Sequence, residues 1–244
     1  MARLRLVVLD ELHCVMTWGN SFRPAYGYLH VLRNRIPRNI PWFGASATLR
    51  PNILNVCLEQ GGFQKNAHII YESLNQDNIY CDLRPMQFSA RSVKDLLFLF
   101  PPSATEHRNT QRAIQSIPKT IIFFRSTDQL LNARFQLVKT LASRYSIPAK
   151  AAKRIVQAFY SHRSEFSKRE IHAWFLDDNS EVRILAATDA VGMGMDFPNV
   201  EVCIQFDVPD NIDILLQRLG RAGQPKAQGL FCLVYSIQVI KGEQ

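Results

Sequence analysis

The 244 residues hold 29 Lys and Arg against 21 Asp and Glu, a formal net charge of +8, and 47% are hydrophobic; this is an ordinary globular composition, long enough for one large or two small domains whose core needs no staples. Five cysteines, none spaced C-x-x-C, argue against a disulfide framework and a structural zinc site, and fit a reducing intracellular compartment. No apolar stretch approaches the ~18 residues of a membrane span and no signal peptide precedes the first strand, so no membrane partner is expected, whereas the basic balance (pI ≈ 9.4) suits a polyanion.

Leu6-Val7-Val8-Leu9 is an apolar run without alternation, which predicts a strand buried on both faces of a parallel sheet. It stops at Asp10-Glu11. Ligands of open α/β sheets sit beyond the carboxyl ends of strands, so two carboxylates there are placed to hold Mg²⁺ on a nucleotide and to polarise an attacking water. An isolated Asp at this point would more often cap a turn. His13 to Pro24 then crowds Trp18, Phe22 and Arg23 into one loop, where aromatics can stack on unpaired bases or pin the loop to the core. Pro24 opens a predicted helix to about Asn34.

Pro41 to Ala45 is the next short strand, ending in Ser46-Ala47-Thr48. Pro51 opens a helix stopped by Gly61-Gly62, and Ala67 to Tyr71 is a further strand. Residues 79–118 form a connecting region that starts a second domain, with a strand from Asn78 to Leu83 and a short apolar helix from Val93 to Phe100.

Thr120 to Phe124 is a buried strand. Ser126-x-x-Gln129 matches a capping box before a helix with Leu130, Leu131, Phe135, Val138 and Leu141 inward. Ala149 to Tyr160 reads as a second helix, and Ser167-x-x-Glu170 caps a third that carries Ile171, Trp174 and Phe175. Strands follow at Val182–Ala186, Val200–Phe206 and Gly229–Tyr235. The alternation predicts βαβ units and a mostly parallel sheet.

Two further clusters bear on chemistry. Thr188 to Asp196 places Gly192 and Gly194 between two aspartates, which allows close backbone approach to a phosphate or sugar. Gln217 to Gln224 presents Arg218 and Arg221. Arginines at a domain face can reach a γ-phosphate, although a basic helix end favoured by the dipole would look the same.

Taken together these stretches resemble a known family. Asp10-Glu11-Leu12-His13 resembles the Walker B box of DEAH-type helicases, and His13–Pro24 resembles the aromatic-rich loop of the RecQ DNA helicases. Ser46-Ala47-Thr48 resembles helicase motif III, Ala187–Asp196 motif V, and Gln217–Gln224 motif VI. The likeness runs from about Leu4 to Tyr235. It implies an α/β architecture of two RecA-like parallel-sheet domains of the P-loop NTPase type, residues 1–78 and 119–244 being their cores and the first incomplete.

It also implies an ATP- and Mg²⁺-dependent helicase that moves 3′ to 5′ on single-stranded DNA and unwinds duplex. Asp10 would hold Mg²⁺ through the nucleotide and Glu11 would orient water. His13, Ser46 and Thr48 would couple nucleotide state to DNA. Trp18, Phe22, Arg23, Thr188 and Gly192 would meet nucleic acid, while Gly194, Asp196, Gln217, Arg218 and Arg221 would face the nucleotide, Arg221 catalytically. The pattern breaks twice. The sequence contains no G-x-x-x-x-G-K-[ST] phosphate loop, so little or no ATPase activity is expected of this chain alone, and Gln224 stands where the motif has Arg. A non-catalytic nucleic-acid-binding remnant and an RNA helicase of the same superfamily are the alternatives.

Overall fold

The computed structural model describes residues 4–15, 28–73, 75–100, 110–189, 195–223 and 228–236. The chain divides into two compact units, residues 1–75 and 76–244.

In the first unit, β1 (Val7–Leu9) runs parallel to β2 (Trp42–Gly44) in the register Val7↔Trp42 to Leu9↔Gly44. Backbone pairing continues past the strands: Ala45 N–H donates to Leu9 O at 2.9 Å and Leu12 N–H to Ala45 O at 2.8 Å. Helices α1 (Leu29–Arg35) and α2 (Pro51–Gln60) complete the unit. Pro51 sits in the first turn of α2, where a missing N–H costs nothing. Leu9, Leu12, Val15 and Cys57 form a small core, with Val7, Leu29, Trp42, Ile53 and Phe63 packed on it.

Among the described residues, only one face of this sheet is covered. Val8 and Phe43, partners across the pair, are 54% and 53% exposed. The expectation of a first strand buried on both faces is therefore corrected. Its residues are apolar enough, but no described element lies over that side. The strand expected at 67–71 is also absent: Ile69, Ile70 and Tyr71 are exposed and have no ladder partner among the described residues.

The second unit carries a six-stranded, all-parallel sheet in the order β3-β8-β7-β4-β6-β5. The strands are β3 (Ile79–Pro85), β4 (Thr120–Phe123), β5 (Val156–Phe159), β6 (Ile184–Ala187), β7 (Val202–Phe206) and β8 (Gly229–Tyr235). Around them lie a 3₁₀ helix (Lys94–Leu99), α3 (Thr110–Gln115), α4 (Thr127–Arg144), α5 (Ala149–Ile155), α6 (Glu165–Leu176) and α7 (Ile212–Leu219). Each sheet face has its own core. Ile122 and Phe124 point into one with α4 and α5, while Ile121 and Phe123 point into the other with Ile171 and Phe175 of α6. Burial on both faces explains why these strands read as unbroken apolar runs.

Three details differ from expectation. Residues 149–160 are not one helix: α5 stops at Ile155, and Val156–Phe159 pairs with β6 as an edge strand. Leu131 and Phe135 point outward rather than into the core, which takes Ala133 and Leu137 instead. The cap of α6 is Ser164, whose side chain accepts from Ser167 N–H.

Candidate nucleotide and nucleic-acid site

The acidic turn lies at the carboxyl end of β1. Asp10 is exposed, and its Oδ1 accepts the Glu11 N–H at 2.9 Å. Glu11 holds φ 51°, in the left-handed region, a strained conformation for a residue with a Cβ. His13 is buried beneath the turn. Its Nδ1 lies 2.7 Å from Ser46 Oγ and 3.4 Å from Glu11 Oε2, and its Nε2 lies 3.5 Å from Cys14 Sγ. Ser46 Oγ also accepts the Thr48 N–H at 3.4 Å. The Thr48 hydroxyl is 3% exposed and makes no hydrogen bond among the described residues. The bonds between Leu9, Ala45 and Leu12 bring the turn and Ser46 together, so Asp10, Glu11, His13, Ser46 and Thr48 form one cluster.

Mg²⁺ keeps most of its water and needs only one or two protein carboxylates besides phosphate oxygens. Asp10 suits that demand. Among the described residues no group of three or more His, Cys, Asp and Glu could hold a metal unaided. The phosphates themselves would need a cradle that the sequence does not contain.

The second unit gathers the other cluster at the carboxyl ends of β4, β6 and β7. Thr188, just past β6, donates its N–H to Phe159 O at 3.2 Å. Asp189 follows and accepts from Arg218. Asp196 is exposed, and its carbonyl lies 2.8 Å from His172 Nε2. Arg221 donates to Met195 O at 2.9 Å. Gln217 is half-buried on α7. Arg218 is buried, and its guanidinium is engaged inside the unit. Trp18, Phe22, Arg23, Gly192, Gly194 and Gln224 lie outside the described residues.

Sequence reasoning did not find His172, Gln205 or Cys14 as partners in these clusters. Gln205 had a signal: it is the polar residue of the otherwise apolar strand Val202-Cys203-Ile204-Gln205-Phe206.

The six-stranded parallel sheet of the second unit has the RecA-like fold, and residues 106–226 match the family model described as the helicase conserved C-terminal domain. The fold matches the DEAD-box helicase Mss116 bound to single-stranded RNA (TM-score 0.66, 20% identity, 96% of this chain and 44% of that one). It also matches the helicase MrfA bound to DNA and AMPPNP (TM-score 0.66, 15% identity, 95% and 30%).

Proteins similar to the chain in sequence include helicases of RecQ type. The chain is 26% identical to the RecQ-like DNA helicase BLM of Xenopus laevis over 94% of its own length and 15% of the relative's. It is 27% identical to the ATP-dependent helicase SGS1 of Saccharomyces cerevisiae over 96% and 14%, and 27% identical to the DNA helicase Q-like 4B of Arabidopsis thaliana over 94% and 17%. The chain thus spans less than a fifth of each of these three relatives. Among the described residues no helix is long and apolar enough to cross a membrane.

Proposed function

We propose that this chain serves the motor of an ATP-dependent DNA helicase that moves 3′ to 5′ on single-stranded DNA and unwinds duplex. The observation that carries the reading is His13, which lies between the Glu11 carboxylate and the Ser46 hydroxyl at 3.4 and 2.7 Å. Such a link lets a change at the acidic turn be felt at the Ser46–Thr48 loop.

In this reading Asp10 holds Mg²⁺ through the nucleotide, Glu11 orients the attacking water, and the unbonded Thr48 hydroxyl is the next point of the relay. Trp18, Phe22 and Arg23 stack on and grip the strand, with Thr188 and Gly192 on its backbone. Gly194, Asp196, Gln217 and Arg221 face the nucleotide. Bound Mg²⁺·ATP supplies the phosphoryl group and neutralises its charge.

Because the phosphate loop is not among these residues, the chain alone is expected to show no DNA-stimulated ATP hydrolysis in a coupled assay, and robust turnover would overturn that expectation. It is expected to bind a fluorescent single-stranded oligonucleotide, and Trp18→Ala is expected to weaken binding about 5- to 150-fold, the worth of one stacked base. Binding that RNA competes away better than DNA would favour the RNA-helicase alternative. A non-catalytic DNA-binding role is the second reading, favoured by the uncharged Gln224. It predicts DNA affinity that does not change when a non-hydrolysable ATP analogue is added.

A further inference from the structure

The sequence places Arg218 towards a nucleotide, and its surroundings argue for another role. The side chain is 5% exposed. One terminal nitrogen donates to Gln205 Oε1 and the other to Asp189 Oδ1, and the guanidinium lies 4.8 Å from the centroid of the Phe123 ring. Its backbone carbonyl accepts the Cys203 thiol at 3.0 Å. Phe123 ends β4, Cys203 and Gln205 lie on β7, and Asp189 follows β6. One side chain on α7 therefore reaches the ends of three neighbouring strands. Swinging it out to a phosphate would strand the fully buried Gln205 amide without its donor.

We infer that Arg218 is a positioning residue that clamps Asp189 and so fixes the point where the chain leaves β6 towards Gly192 and Gly194. The return is fixed separately, by Arg221 on the Met195 carbonyl and His172 beside the Asp196 carbonyl, with Phe197 buried against Phe159, His172 and Phe175. The inference deepens the reading that residues 188–196 meet nucleic acid and nucleotide, and rests on it for its consequence. Two arginines one turn apart then have separate duties. Arg218 holds the outgoing end, and Arg221 holds the returning end beside the exposed Asp196.

Amide hydrogen exchange on the whole chain tests the clamp, using Arg218→Lys and Asp189→Asn. Lysine keeps the charge and loses the fork. Asparagine at 189 disturbs only the outer partner, whose side chain is 71% exposed. Both variants should speed exchange in peptides spanning 188–198 by about tenfold or more, with β3 and β5 peptides at wild-type rates. Wild-type rates at 188–198 in either variant would overturn the clamp. So would a rise spread through the whole sheet in Asp189→Asn, the mark of a cation that merely supports the core.

Single-stranded DNA affinity supplies the second readout. Each variant should weaken it by the same factor, and the double variant no further, because the two residues act through one contact. Additive losses would overturn the assignment. If the wild-type chain bound no DNA, the proposed function would fall, and the exchange result would still decide the clamp.

Discussion

Lys119 places a cation where a helix runs out of donors. Its Nζ donates to the carbonyls of Phe175 and Asp177 at 2.5 and 2.8 Å, at the end of α6, where the last carbonyls lack intrahelical donors; the Asp177 carbonyl also accepts the Ser180 N–H at 3.2 Å. Burial, and then the nearby Arg183, hold its ammonium below the usual lysine range. Lys119→Met keeps the volume and removes the donors. It should cost about 1–3 kcal/mol, read as a lower urea midpoint at unchanged slope, and an unchanged midpoint would refute the capping role. Two thiols set a pH dependence. Burial pushes the Cys203 thiol up and the Cys232 thiol up to about 11. As pH climbs past the ordinary thiol value, 9.0, the unfolded chain loses those protons first. It then binds fewer protons than the folded state, so stability should fall from pH 9 to about 11. Cys232→Ala should flatten part of that fall in denaturant titrations, and parallel curves would show that the thiol contributes nothing.

At the scale of elements, β8 begins with a close contact. A Cβ on Gly229 would lie 2.5 Å from the backbone nitrogen of Gly223, itself at φ +66°. Gly229→Ala must therefore push β8 from the end of the Gln217–Gln224 segment, at a cost of about 1–3 kcal/mol. A variant that melts with the wild type would show the backbone gives way freely. The sequence made β8 legible with its observed bounds, and it made α4 legible from Ser126, whose side chain accepts the Gln129 N–H. It did not reveal the change from α5 to β5. Ala152, Ile155, Val156 and Phe159 suit a helical period, and only pairing with β6 makes Val156–Phe159 a strand. The acidic turn, Ser46 and Arg221 were visible as motifs. The Asp189–Arg218 contact was not, because it joins residues 29 apart through a fold that no local pattern encodes. Leu131 and Phe135 misled for a simple reason: large apolar residues are often left at a surface.

The whole molecule combines two units of unequal build. Among the described residues, the first rests on a sheet of two three-residue strands, and the second on six strands with a core on each face. Calorimetry should resolve two transitions, the smaller at lower temperature. A single transition whose calorimetric and van't Hoff enthalpies agree would mean that the units melt as one. The exposed side chains of Val8 and Phe43 on β1 and β2 have a practical consequence. Val8 and Phe43, with Leu4 and Leu6 nearby in sequence, stay wetted in a protein that is also strongly cationic. Such a molecule behaves as an ion exchanger and an oil droplet at once. Low salt will drive it onto any polyanion, and high sulfate will drive it onto phenyl resin or onto itself. The conditions for handling it therefore form a narrow band of ionic strength between two kinds of loss, and replacing Val8 and Phe43 with threonine should widen that band from the high-salt side.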